Sequence, residues 1–225
     1  MKIISRRDFL KASAAAGVLI PAGQALSRVA YAKALAPVQL PKPQTTGGNP
    51  ALGLLEKRSS IRDFAPQPLP VVVLSQLLWA AFGINRPDGK RTAPSARNRQ
   101  EIDIYVAAPE GAYLYEPRGN LLKPVVEGDI RDLTGTQPYV KTAAVNLVYV
   151  ADTAKMDKAP PDQMALWMGA DTGLIAENVY LFCAGEGFVT VVRALIDRPV
   201  LAKALKLRPE QTITLSQSVG YPKKA

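Results

Sequence analysis

The chain has 225 residues, 28 lysines and arginines against 19 acids, and a formal net charge of +9, with no histidine and one cysteine, Cys183. Those counts exclude His-based catalytic triads, imidazole metal sites, intramolecular disulfides and multi-cysteine metal sites. A chain that is 48% hydrophobic can hold one ordinary α/β domain by its core alone, and its chemistry has to be carried by a bound cofactor.

Ser5, Arg6, Arg7, Asp8, Phe9, Leu10 and Lys11 form a twin-arginine export signal, an address read by the twin-arginine export machinery. The uncharged stretch from Ala12 to Leu26 is broken by Gly17, Pro21 and Gly23. It is too short and too weakly apolar to span a bilayer, so it reads as a signal core with no stable membrane insertion. Ala30-Tyr31-Ala32 offers an A-x-A cleavage site, with Gly23-Gln24-Ala25 as a weaker one, which puts the mature start near Lys33 and the mature protein in the periplasm or otherwise outside the cytoplasm. Cleavage there lowers the formal charge from +9 to +5. The remainder has no long basic run and no nucleic-acid module, so it favours an anionic small ligand such as a phosphate over nucleic acid.

Residues 33–48 contain three prolines and Thr45-Thr46-Gly47-Gly48, which predicts a linker or a partner-wrapping arm ahead of a domain over 49–225. Asn49 and Pro50 open a helix carrying Leu52, Leu54 and Leu55 up to the Arg58-Ser59-Ser60 turn. Leu74, Leu77, Leu78, Trp79 and Phe82 predict a second helix from about Pro70, ended by Gly83. Strands are expected at 102–107, 112–115 and 144–151, and the longest helix at about 161–184. Met164, Trp167, Met168, Leu174, Ile175 and Val179 on that helix read as core. A buried strand at 188–192, a helix at 198–205 and a closing strand at 212–219 complete an α+β (or α/β) chain.

Three segments carry candidate chemistry. Arg58-Ser59-Ser60-Ile61-Arg62-Asp63-Phe64 puts two guanidinium groups and two hydroxyls at a helix end, a donor set suited to phosphate. Pro94-Ser95-Ala96-Arg97-Asn98-Arg99-Gln100 combines small residues with amides that can face a flat ring. At Gly185-Glu186-Gly187 the long helix breaks into Phe188-Val189-Thr190-Val191-Val192-Arg193, whose backbone N–H groups can meet a cofactor edge.

In this order the segments resemble the nitroreductase superfamily: an opening R-x-S-x-[RK]-x-F motif, a P-S-x-x-N-x-Q loop, and a long helix leading to a G-L-G-T-V-like strand. The resemblance covers about residues 49–222, ends on Val219-Gly220-Tyr221-Pro222, and extends through Gly111 to Leu121 and Glu127-Gly128-Asp129-Ile130 toward the azoline-dehydrogenase branch. It implies a central mixed or antiparallel sheet flanked by helices, and a homodimer with shared FMN sites. By the resemblance Arg58 lies on the FMN phosphate, with Ser59 and Ser60 at the phosphate or ribityl chain and Arg62 near the ring. Pro94, Ser95, Ala96 and Asn98 come from the partner subunit, the Val192–Arg193 backbone meets the ring edge, and Lys223 or Lys224 adds phosphate charge. The chain departs from the family where Arg97 replaces a frequent glycine, where Glu101-Ile102 replaces Pro-Trp, and where the Lys-Tyr pair of azoline dehydrogenases is absent.

The implied function is FMN-dependent transfer of hydride or electrons to a small-molecule substrate such as a quinone or nitro compound, with the reacting centre on the flavin. Export separates the chain from cytosolic NADH and NADPH, so the expected donor is a quinol, a redox protein or a reduced small molecule. A flavin-dependent dehydrogenase of a peptide or small metabolite uses the same fold, and a non-catalytic flavin-binding protein is the reading from another class.

Overall fold

The computed structural model describes residues 35–42 and 51–223, so the export signal, its cleavage sites, Asn49, Pro50 and Lys224 lie outside the described residues. The spine of the fold is the strand β8 (Gln211–Pro222), which pairs along one edge with β6 (Val145–Asp152) and along the other with β7 (Val189–Arg193) and β2 (Phe64–Ala65). Beyond β6 the sheet continues through β3 (Ile102–Ala108), β4 (Gly111–Glu116), β5 (Leu121–Glu127) and β1 (Val38–Gln39), and every pairing is antiparallel.

The period-2 rule of a strand decides which side chains meet which helices. Ile104, Val106, Val145, Leu147, Tyr149 and Ala151 face one core, packed by α2 (Val71–Phe82) and α3 (Pro161–Glu186). Tyr105, Val148 and Val150 face the opposite core with Leu201 and Leu205 at α4 (Arg198–Ala204). α1 (Ala51–Lys57) packs on α3. This is the α+β architecture expected, an antiparallel sheet flanked by helices.

Strand β5 was absent from the sequence-based expectations because Pro124 lacks a ladder donor and interrupts the apolar run. The sheet accommodates it at a bulge, where Ala112 pairs with Val126 but Tyr113 pairs with Pro124. Residues 35–42, read as part of a linker or arm, run along the outer edge of β5. Leu40 is buried in the first core, and the Asn120 amide donates to the Pro41 carbonyl at 2.9 Å.

Where α3 ends, the chain needs a left-handed residue to swing into β7, and Gly187 supplies it at φ +76° while its N–H caps the Cys183 carbonyl. A Cβ there would touch nothing within 4 Å, so substitution strains only the backbone. Gly187→Ala is expected to cost about 1 kcal/mol and Gly187→Asn less, read from denaturant midpoints. An alanine variant as stable as the parent would refute this account of the turn.

Candidate functional site

The first candidate segment begins where α1 stops. The Arg58 N–H closes the helix on the Leu54 carbonyl at 2.9 Å, and three residues on the Ile61 N–H donates to the Thr190 carbonyl of β7 at 3.1 Å. Phe64 then enters the sheet opposite Pro222 and is buried. The turn between these anchors is therefore held against the end of the sheet while Ser59, Ser60 and Arg62 stay exposed.

Beneath this turn lies Tyr180 of α3, a residue that reading the helix by its apolar period passes over. Its hydroxyl is 2.8 Å from Ser60 Oγ and accepts the Val192 N–H at 2.9 Å. Its ring carries the half-buried Arg58 guanidinium, 5.4 Å from the ring centroid. That guanidinium makes no hydrogen bond or ion pair among the described residues, which leaves its planar fork of donors available. Arg62 Nη1 reaches the Ser60 carbonyl at 3.4 Å, and the Lys223 N–H reaches the Asp63 carbonyl at 3.5 Å. Arg58, Ser59, Ser60, Arg62, Val192 and Lys223 thus come together at one end of the sheet.

The Val192–Arg193 backbone was expected to offer free donors to a ligand edge. In the structure the Val192 N–H is already engaged by Tyr180, because a buried phenol oxygen needs its lone pairs satisfied. The Arg193 side chain turns the other way, into the protein. Its guanidinium donates to Ser218 Oγ at 2.9 Å, Thr134 Oγ1 at 2.7 Å and Asn146 Oδ1 at 3.0 Å, and burial lowers its pKa to about 10. Arg193 Nε leaves no room for a Cβ on Gly135.

The second candidate segment sits elsewhere along α3. The Ala96 N–H donates to Asp171 Oδ2 at 2.8 Å, nine residues before Tyr180, a rise of roughly 14 Å along the helix. One chain therefore does not bring Pro94, Ser95, Ala96 and Asn98 onto its own Arg58 turn. The loop is tightly specified: Ser95 Oγ accepts from the Gln100 N–H at 2.9 Å, and Asn98 Oδ1 accepts from Gln100 Nε2 at 3.1 Å. Arg97, Asn98 and Gln100 all adopt left-handed backbone, with φ of 54°, 55° and 52°. The glycine that the family often places at position 97 is the residue this conformation suits. Here Arg97 is held by Asp157 Oδ2 at 3.0 Å and by the Trp167 ring.

Directly after this loop comes Glu101, fully buried, with neither carboxylate oxygen donated to by the protein. Burial, then the neighbouring Asp171 carboxylate, pushes its pKa up to about 7, while the dipole of its own backbone N–H and the Arg99 guanidinium pull the other way. Arg99 itself lies over the Trp167 ring, 4.5 Å from its centroid, with Nε and Nη1 unpartnered. Among the described residues no cluster of three or more acids, cysteines or histidines is placed to hold a metal ion, and no helix is long and apolar enough to cross a membrane.

Residues 55–221 match the model of the nitroreductase family, and residues 4–20 match the twin-arginine translocation signal. A Methanocaldococcus jannaschii protein assigned by name to the nitroreductases is 27% identical over 158 residues, covering 65% of this chain and 80% of its own. A Ralstonia eutropha crystal structure assigned by name to the same group superposes with a TM-score of 0.81 at 40% identity, covering 88% of this chain and 93% of the other. The NADPH:FMN oxidoreductase of Vibrio harveyi, solved with NAD+, shares the fold with a TM-score of 0.59 at 19% identity, covering 77% of this chain and 69% of its own.

Proposed function

We propose, from the premise that this chain belongs to the nitroreductase family, that it is an exported FMN-dependent oxidoreductase working as a homodimer on a small-molecule acceptor such as a quinone or nitro compound. The observation that carries the reading is the meeting of Arg58, Ser60 and Val192 on Tyr180, with a guanidinium unpaired among the described residues and an exposed serine on the same phenol. That donor set fits a phosphate dianion. Arg58 and Ser60 grip it, Ser59 and the terminal Lys223 and Lys224 add donors and charge, and Arg62 lies toward the ring. Bound FMN supplies hydride and electron transfer, so the chain's own residues bind, orient and exclude water.

The separation of the Ala96 loop from the Arg58 turn along α3 supports a site completed by Pro94, Ser95, Ala96 and Asn98 of the other subunit. Support for pairing comes also from α3 itself, where Leu166 and Leu174 are 68% and 44% exposed and Gly169 and Gly173 leave the backbone open between them. The sequence similarity to azoline dehydrogenases around 111–130 is the basis for placing the chain near that branch. Export favours a quinol, redox protein or reduced small molecule over NAD(P)H as donor.

The test is an absorbance spectrum and light scattering of protein purified after export. The expected result is a yellow protein that releases FMN on denaturation and has twice the mature chain mass. A colourless protein that takes up no added FMN refutes the cofactor, and a fully flavin-loaded monomer refutes the shared site.

A further inference from the structure

We propose that Tyr180 is the positioning residue of this site, a single buried phenol that sets Arg58, Ser60 and Val192 at once and turns the Ser60 hydroxyl outward as a donor to the phosphate of FMN. The inference rests on the FMN reading above and specifies how the protein arranges itself to receive the ligand.

The argument is one of proton accounting. A tyrosine hydroxyl has one proton and two lone pairs. Tyr180 is 6% exposed, and one lone pair is taken by the Val192 N–H. Its proton needs an acceptor, and the Ser60 oxygen at 2.8 Å is the acceptor the described residues provide. Were Ser60 to donate instead, the tyrosine would accept twice and its own buried O–H would be left without a partner, which burial penalises. The chain of donation therefore runs from the Val192 N–H to Tyr180 to Ser60, and each bond polarises the next. Ser60 has then used a lone pair inward, and its own O–H points out to solvent, where an anion would sit.

The ring performs the second part. Arg58 Cζ lies over the ring, 5.4 Å from its centroid, so the phenol that orients Ser60 also carries the guanidinium at the same turn. Tyr180 belongs to α3 and Val192 to β7, so one side chain ties the phosphate turn to the strand end at a fixed separation.

Tyr180→Phe retains the ring under Arg58 and removes only the hydroxyl. In titrations of the apo-protein it is expected to weaken FMN about tenfold and riboflavin, which has no phosphate, by less than about threefold. The decisive measurement is a double-mutant cycle: Ser60→Ala weakens FMN in the wild-type background and adds nothing in the Tyr180→Phe background. Unchanged FMN affinity in Tyr180→Phe, or fully additive losses, overturns the proposal. If Tyr180→Phe does not fold, Ser60 alone decides, with loss of FMN selectivity expected for Ser60→Ala and retention for Ser60→Thr, and equal behaviour of the two overturning it. Wild-type protein that binds neither flavin overturns the FMN reading itself, whatever Tyr180 does.

Discussion

Replacing Arg58 with alanine is expected to weaken FMN ten- to a hundredfold while riboflavin affinity stays nearly unchanged. A charge-assisted hydrogen bond contributes roughly 1.5 to 3 kcal/mol, which corresponds to that range. The size depends on the guanidinium being free to bind, and Arg58 has no competing carboxylate among the described residues, whereas Arg97 and Arg99 both engage Asp157. Arg58→Lys should recover part of the loss, since a point charge remains but the paired fork does not. The titrations separate three cases. Equal losses for both flavins would mean a damaged fold, no loss for FMN would remove Arg58 from the site, and a loss confined to FMN places it on the phosphate.

The elements that could be read from the sequence are those whose burial follows a simple period. In α2, Leu74, Leu77, Leu78 and Phe82 are buried at the spacing that predicted the helix, and β6 is buried along its whole length as an apolar run should be in a central strand. Short or edge elements escaped for the opposite reason. β1 has two residues and β5 carries a proline, so their pairing is imposed by neighbours and leaves no local pattern.

The site divides in the same way. The Arg58 turn and the Pro94–Asn98 loop are each contiguous, and the donors of each stand in a short stretch of sequence. Tyr180 and Ser60 are 120 residues apart, so no spacing rule connects them. A weaker signal was present: a tyrosine whose ring is buried still needs a partner for its hydroxyl. Asp171 gave a clearer one, since an acid on the apolar face between Met168 and Ile175 demands a hydrogen-bond donor, and the structure provides the Ala96 N–H. Glu101 was legible only as a departure from the family's Pro-Trp, and nothing in its neighbours announces full burial.

That buried acid has a measurable consequence for pH. A folded-state pKa near 7, against an ordinary value of 4.5, means the folded protein holds the Glu101 proton more tightly than the unfolded chain does. Its contribution is therefore favourable at low pH and is lost as pH rises between about 4.5 and 7, the reverse of a salt-bridged carboxylate. The cause is geometric: once ionised, the carboxylate is buried beside Asp171, with its own backbone N–H and the Arg99 guanidinium opposing the repulsion, and Asp171 is the group that anchors the 95–100 loop through Ala96. Glu101→Gln cannot ionise, and its amide supplies a donor beside the Asp171 carboxylate. Urea unfolding of the two proteins should give similar stabilities at pH 5. At pH 8 the glutamine variant should be more stable by roughly 2 to 3 kcal/mol, the free energy of a pKa shift of this size. The sign matters more than the size, because a difference that is constant from pH 5 to 8 would show that Glu101 is ionised throughout and that its buried carboxylate is compensated by Arg99.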